Sequence, residues 1–281
     1  MMTWLSRSLR LSTVSGGSSM ALTLPGRQAA ARRLLDIAAA AGGLVVTLPI
    51  MLVACLAVAI AERVAPIYVA PRIGEGGKPY RMFKLRSMVP GADQFPTVST
   101  PADDPRITRI GRWLRRTKLD ELPQLLNVIA GSMAIVGPRP QVDREVAVYT
   151  DLELTLLTVK PGIVDLASIV FSDLEDLYVG QPDPDLVYRL QVRPWKSRLG
   201  LLYIERCSLA LDLRIVWLAL LNVVSRRRAL AGVAVLTERL GGDAALVRVA
   251  TRSEPLPIAG PPGSDLADLA QLPAPVQMRV G

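Results

Sequence analysis

Two carboxylates stand side by side in the stretch TKLDELPQLLNVIAGSMAIVGPRP, residues 117–140: Asp120 and Glu121, just ahead of the Leu122-Pro123 step. Proline restricts the residue before it, which biases Leu122 away from the α region. The spacing therefore predicts a helix that begins near Pro123 and stops at Gly131, with both carboxylates at or just outside its amino end. A helix amino terminus favours the charged form of a carboxylate by about 0.3–1 kcal/mol. Arg115, Arg116 and Lys118 push the same way. Asp120 is thus expected to be a low-pKa anion, suited to nucleophilic attack or metal binding rather than to work as a general acid. The same residues also fit a plain helix cap with a neighbouring salt bridge, and their spacing alone does not choose.

Residues that could work with the pair lie on both sides of it. After a short apolar run that fits a small strand, MAIV, the turn GPRP at 137–140 sets Arg139 between two prolines, presenting its planar fork of donors with little freedom to lose, a disposition suited to phosphate. Upstream, IYVAPRI (67–73) and YRMFKLRSM (80–88) read as two short strands joined by GEGGK, whose glycines supply the positive φ of a hairpin turn. Alternation along the second strand places Met82, Lys84, Arg86 and Met88 on one face, so two cations point the same way. After a proline-rich loop, RITRIGRWLRRTK places Ile107, Ile110 and Leu114 at helical spacing, with Arg106, Arg109, Arg112 and Arg116 as a second, basic stripe.

Composition limits the chemistry. Among 281 residues there is no histidine, which removes Ser-His-Asp catalysis, histidine general-base catalysis and almost every zinc site. The formal charge of +8 calls for an anionic partner: nucleic acid, an anionic membrane surface or a phosphorylated substrate. Against nucleic acid stand the 5% aromatic content and the lack of any stacking, zinc-finger or recognition-helix signature. Cys55 and Cys207, far apart in apolar surroundings, fit neither a disulfide framework nor a metal clip and suit a reduced compartment.

One segment must position all of this at a boundary. From Ile37 to Ile60 no charged residue occurs, a run long enough to cross a hydrocarbon core of about 30 Å as a helix. Basic residues flank both ends, Arg32 and Arg33 before it and Arg63 and Arg72 after it, and the preference of Lys and Arg for the cytoplasmic side would set one flank of a simple span on the wrong side. Pro49 sits mid-run, with Gly42 and Gly43 nearby. The expectation is a helix that enters the bilayer, breaks at Pro49 and returns to the same face, with Thr47 satisfying a carbonyl freed by the break. A kinked helix that crosses fully is the alternative.

Together RIGEGGKPYRMFKLRSM, DDPRITRIGRWLRRTKLDELPQLLNVIAGSMAIVGPRP, KPGI at 160–163 and YIERCSLALDLRIV at 203–216 resemble the successive signatures of the bacterial sugar transferases, the monotopic polyprenyl-phosphate phosphoglycosyl transferases, in their short form. The resemblance implies transfer of a sugar 1-phosphate from a nucleoside diphosphate sugar, usually a UDP-sugar, to undecaprenyl phosphate, with UMP released, as the first membrane step of a glycan assembly pathway. It also implies a covalent phosphosugar on Asp120, Glu121 helping to bind Mg²⁺, and Arg115 and Arg139 holding phosphate oxygens, with Lys84 and Arg86 as further contributors. The implied location is the cytoplasmic face of the bacterial inner membrane, against anionic lipid, with homo-oligomerisation left open.

The chain departs from that family pattern at three places: Leu48 where serine is common before the membrane proline, Ser132 and Ala134 where Gly-Asp-Met-Ser is common, and VDLAS after KPGI. Ser132 and Ala134 motivate a second reading, a catalytically silent membrane-bound scaffold of a glycan assembly complex, and a basic nucleic-acid-binding protein is a third. The expected fold is α+β and mainly helical: a basic, mobile stretch over 1–30, a membrane-inserted helix-break-helix over 31–63, a compact catalytic domain with a small β-hairpin over 64–228, and an Ala/Gly/Pro-rich, largely mobile tail over 229–281. Residues 197–228 read as apolar-rich helix closed by Arg226, Arg227 and Arg228, packed in the core or lying at the membrane interface.

Overall fold

The computed structural model describes residues 26–264, apart from 96 and 98. The expectation of a mobile stretch at 1–30 falls largely outside these residues.

The first element, α1 (Gly26–Glu62), runs uninterrupted through Pro49. This corrects the expected helix-break-helix. A proline inside a helix forfeits one backbone bond, here the one that Val45 O would accept, and a helix packed on both sides of that point tolerates the loss. Thr47 does make a side-chain bond, but to Gly43 O at 2.7 Å, two residues before the carbonyl that proline frees. At about 1.5 Å per residue the helix is about 55 Å long.

One stripe of α1 lies on the rest of the protein. Ala40, Met51, Ala54 and Val58 are buried, spaced as one helical face, and Gly43 lets α1 approach Leu125 closely. The opposite face carries Val45, Val46, Leu52, Val53, Leu56 and Ile60 into the open.

The hairpin forms as expected: β1 (Ile67–Ile73) pairs antiparallel with β2 (Pro79–Leu85), Ile67 opposite Leu85 and Ile73 opposite Pro79. The second strand ends at Leu85, three residues short of the expected end. Helix α2 (Arg109–Arg116) is capped by Thr108, whose hydroxyl accepts from Gly111 N. Arg106 lies outside this helix and is paired with Asp104 at 2.6 Å. A 3₁₀ turn, Leu119–Glu121, leads through Leu122 and Pro123 into α3 (Gln124–Ala130), which stops at Gly131 with φ +89. Leu122 is in the αR region, not out of it, because the 3₁₀ turn runs on into α3 without an extended residue.

Next, β3 (Ala134–Val136) pairs in parallel with β4 (Gly162–Val164). The two strands come so close that a Cβ on Gly162 would sit 2.1 Å from Gly137 N, so glycine is required there. Between and after them lie five short helices, α4 (Asp143–Val146), α5 (Asp151–Leu154), α6 (Leu166–Val170), α7 (Leu174–Leu177) and α8 (Pro184–Val187).

A π-helical turn, Tyr188–Val192, precedes α9 (Arg193–Arg206), and then come α10 (Leu209–Val224), α11 (Arg226–Arg239) and α12 (Ala244–Thr251). The main core is built from α6 and α9–α12, with Leu199, Tyr203, Ile215 and Val233 almost wholly buried. Two expectations fail here. Arg226–Arg228 open α11 rather than close a helix, and the stretch taken for a mobile tail contributes Leu230, Val233, Leu236, Leu246 and Val249 to the core. Beyond α12 the chain returns across the domain, with Trp195 Nε1 donating to Pro257 O and Ala259 N to Leu190 O. Residues 265–281 of the expected tail lie outside the described residues.

At the centre of α5 and α9, Glu153 is 0% exposed and holds Arg193 Nε at 3.0 Å and Ser197 Oγ at 2.7 Å. Removing one partner of such a pair strands a buried charge. Glu153→Ala is expected to cost about 3–5 kcal/mol, read as a lower denaturation midpoint of the detergent-solubilised protein. Replacing Glu153 and Arg193 together with apolar residues should recover much of it.

Candidate active site

The carboxylate pair is placed by three contacts that stitch α3 to its neighbours. Asn127, 2% exposed, accepts from Phe83 N at 2.9 Å and donates to Arg81 O at 2.7 Å, so its amide continues the hydrogen-bonding edge of β2. That lays β2 against α3 and brings Lys84 to Glu121, Nζ to Oε1 at 3.4 Å. At the other end of α3, Arg33 of α1 donates to Val128 O at 2.6 Å and Ile129 O at 2.9 Å, two carbonyls that a helix end leaves unpaired.

From the opposite side comes the GPRP turn. Gly137 N donates to Val164 O and Gly162 N to Pro138 O, and Arg139 N donates to Asp165 Oδ2 at 3.1 Å. With its backbone fixed, Arg139 reaches Glu121 through both terminal nitrogens. Two cations therefore converge on Glu121.

The charge states differ from expectation in an informative way. Burial alone pushes Glu121 up, but Arg139 and then Lys84 outweigh it and hold its carboxyl well below the usual range. Glu121 raises Arg139 in return, while burial lowers Lys84 despite Glu121. Asp120, expected to be the low-pKa member, is raised: burial dominates, Lys84 opposes it, and the neighbouring Glu121 adds to it. Asp120 is 5% exposed and its Oδ1 has no hydrogen-bond partner among the described residues. The helix terminus that was to lower it is too weak an influence against that desolvation.

A cleft of about 220 Å³ opens beside the pair, walled by Lys84, Arg115, Gln124 and Arg139 among others. Arg115 is tied to Glu175 at 2.6 Å and 3.0 Å. Gln124 is 1% exposed and its Nε2 is unpartnered, a second unsatisfied polar atom next to the carboxylates. Buried polar groups without partners are rare and mark places where a ligand or water completes the bonding.

Arg86 is not brought to this site. Because β2 ends at Leu85, its side chain turns back to Ala65 O at 2.9 Å and lies over the Tyr68 ring. Two other cations in the cleft wall, Arg72 and Lys196, carry no sequence signal as strong as the carboxylate pair. Arg72 could have been found, since it faces Tyr80 across the hairpin and so shares the face of Met82 and Lys84. Lys196 sits 57 residues of chain or more from every expected site residue, Arg139 being the nearest in sequence, and packing alone delivers it.

A pair of unequal carboxylates braced by arginine and lysine lies on a small helical domain with an apolar helix along its flank, beside a cleft whose wall carries more positive than negative charge. The chain belongs to the bacterial sugar transferase family, whose model matches residues 27–226. It is 35% identical over 190 residues to a UDP-glucose:undecaprenyl-phosphate glucose-1-phosphate transferase of Klebsiella pneumoniae, covering 66% of this chain and 38% of that protein. It is 34% identical over 154 residues to the exopolysaccharide production protein ExoY of Rhizobium meliloti, covering 50% of this chain and 68% of the relative. A UDP-N-acetylgalactosamine-undecaprenyl-phosphate N-acetylgalactosaminephosphotransferase of Aeromonas hydrophila is 29% identical over 201 residues, 69% of this chain and 44% of that protein. The chain thus spans less than half the length of the Klebsiella and Aeromonas relatives.

The opposed charge states give opposite pH behaviour. Asp120, raised in the fold, costs stability as pH rises from the ordinary carboxylate range through its folded value. Asp120→Asn should therefore unfold at higher temperature than the parent at neutral pH and match it in strong acid. Glu121, depressed in the fold, contributes stability above the ordinary glutamate range that is lost as pH falls through its folded value. Glu121→Gln should unfold at lower temperature at neutral pH, with the difference closing in acid. Thermal unfolding across a pH series checks both.

Proposed function

We propose that the protein transfers a sugar 1-phosphate from a nucleoside diphosphate sugar, a UDP-sugar in the first instance, to undecaprenyl phosphate, releasing UMP. The observation that carries this reading is the asymmetry of the pair: Glu121 is held ionised by Arg139 and Lys84, while buried Asp120 keeps an oxygen without a partner. An Asp120 oxygen attacks the phosphorus that bears the sugar, the phosphorus–oxygen bond to UMP breaks, and UMP leaves with that oxygen and its charge. An oxygen of undecaprenyl phosphate then attacks the same phosphorus, and the bond to Asp120 breaks to restore the carboxylate. Nucleophile, leaving group and acceptor are all oxyanions, the acceptor because a phosphate monoester has its second pKa at about 6. No proton has to move, and a chain without histidine can run it.

What the reaction does require is positive charge. Arg139 and Lys84 lie in the cleft wall with Glu121 as their counter-ion, so an entering diphosphate competes for them and is met by preorganised donors. Among the described residues no group of three or more potential ligands could hold a metal on its own. Such a sparse set suits Mg²⁺, which keeps several waters and takes one or two carboxylates plus substrate phosphates. Glu121, with Asp120 beside it, is the residue we assign to it; the ion would neutralise charge on the diphosphate.

We further assign α1 to the membrane, on the cytoplasmic side and without a crossing. It is long and apolar enough to span, its most apolar 18-residue window within Ala29–Glu62 having a mean hydropathy of 2.8, yet both its ends are attached to the same domain. Arg32 binds Asp212 at 2.7 Å near one end, and Val58 packs with Leu85 and Leu114 near the other. Placing the ends on opposite sides would tear one of them away. On α10, Leu213, Trp217, Leu220 and Val224 form a second exposed apolar stripe of the kind that lies in a membrane interface.

The scaffold reading rested on Ser132 and Ala134, and these touch neither carboxylate. Ser132 Oγ exchanges bonds with Asn127 at the end of α3, and Ala134 is buried in β3.

Incubated with its donor and no lipid, the enzyme should release one UMP per chain and gain the mass of one phosphosugar on the peptide bearing Asp120. Asp120→Asn should lose activity by about a thousandfold or more and show no adduct, although folded. Normal turnover by that variant sinks the mechanism; a fully folded wild type that uses no donor from a broad panel restores the scaffold reading. Single engineered cysteines flanking α1 should be equally shielded from an impermeant reagent added to intact cells.

A further inference from the structure

The cleft wall contains five cations, Arg72, Lys84, Arg115, Arg139 and Lys196, against one carboxylate, Glu175. Three of the five are engaged: Lys84 and Arg139 with Glu121, Arg115 with Glu175. Arg72 and Lys196 are in no ion pair among the described residues. Arg72 donates to the carbonyl of Pro71, its own neighbour in the chain. The Lys196 ammonium lies against two aromatic rings, 5.5 Å from the centroid of Tyr188 and 5.8 Å from that of Phe171, and makes no hydrogen bond among the described residues.

Their surroundings explain why no protein partner is within reach. The carboxylate whose attraction for Lys196 is largest, Asp165, already caps α6 through Ser168 N and takes the amide of Arg139. Burial, and after it Arg139, brings the Lys196 ammonium down to about 8, and the same two influences disfavour the charged form of Arg72. Both groups are therefore repelled by Arg139, which shares the cleft wall with them. Half-buried cations that Arg139 repels and that have no ion-pair partner among the described residues raise the energy of the empty protein, and a fold keeps such an arrangement where a ligand relieves it. Both are also on fixed supports: Arg72 in the paired strand β1, Lys196 in the first turn of α9 behind a π-helical turn, a feature that recurs at functional sites.

We propose that Arg72 and Lys196 form a second anion subsite in the cleft, separate from the cations that close on Glu121, and that it takes a phosphate group of a substrate. This rests on the transferase reading only for the identity of that substrate. The phosphate could be the one that leaves with the nucleoside or the one that heads the lipid acceptor, and the chemistry recognised is the same: oxyanions of a phosphate ester met by an ammonium and a planar guanidinium.

The test uses the full chain in detergent, with Lys196→Met, Arg72→Gln and the charge-keeping Lys196→Arg. Inorganic pyrophosphate and UMP are titrated calorimetrically, so the first readout needs no turnover. Lys196→Met and Arg72→Gln should each weaken binding of one of these probes by about tenfold or more, and Lys196→Arg should keep most of it. Both variants should remain folded, since each removes a cation that lacks a counter-ion; unfolding curves check this. The half-reaction then locates the subsite. A raised KM for the UDP-sugar in UMP release without lipid assigns it to the donor; an unchanged half-reaction with a raised KM for undecaprenyl phosphate assigns it to the acceptor. Folded variants with parental affinities and both KM values unchanged overturn the proposal, as does failure of the parent chain to bind either probe. A parent that binds pyrophosphate but turns over no donor, with binding lost in Lys196→Met, sinks the transferase reading and leaves the subsite standing.

Discussion

The interaction on which the site depends is the closure of Arg139 and Lys84 on Glu121. It joins three pieces of chain distant in sequence: the hairpin through Lys84, the turn before α3 through Glu121, and the strand crossover through Arg139. Lys84 and Arg139 are fixed in direction only because Asn127 binds the backbone of β2 and Asp165 binds the backbone of Arg139. A charged cluster of this sort gives little net stability after desolvation, and its value lies in specifying one arrangement. Here the arrangement is a carboxylate saturated with positive charge beside another that has none to spare.

The second constraint ties that cluster to α1. Arg32 donates to Val136 O, the residue before the GPRP turn, and binds Asp212, which also accepts from Tyr203 Oη at 2.7 Å. Arg33 holds the far end of α3. Two consecutive arginines on the apolar helix thus grip the two elements that carry Arg139 and Glu121. If α1 lies in a bilayer, the depth and tilt of that helix are transmitted directly to the chemical groups, and a lipid phosphate can be met at a set height without a separate docking domain.

How much of this could be read beforehand depended on whether the signal was local. The hairpin, α2, α3 with its stop at Gly131, the small strand before GPRP and the adjacency of Asp120 and Glu121 all follow from alternation, helical spacing, proline and glycine, which act within a few residues. The charge order of the pair did not, because it is decided by which carboxylate Arg139 reaches, a contact across 18 residues, and by how deeply the other is covered. Arg86 was misplaced by a strand end three residues early. The C-terminal helices α11 and α12 were hidden by an Ala- and Gly-rich composition typical of mobile chain, although Leu230, Val233, Leu236, Leu246 and Val249 repeat at helical spacing within it. Composition averages over the few positions that do the packing.

The covered Asp120 would be a poor design for an enzyme that must deprotonate its nucleophile, yet it suits one that uses the same carboxylate to accept and then release phosphorus. An exposed, cation-stabilised aspartate would be a stable anion and a correspondingly weak attacker, and the acyl phosphate it forms would be open to water. In a desolvated position the charged form is held at higher energy, and in the proposed reaction the cations now on Glu121 would turn toward the substrate to relieve it. On the proposed mechanism Glu121 would act as a reservoir: its ion pairs hold Arg139 and Lys84 in place while the cleft is empty, and it would give them up to a diphosphate that carries more charge than it does. The loss of their glutamate partner is offset as the phosphate is gained, so the positive field rises at the reacting phosphorus only once the donor has entered.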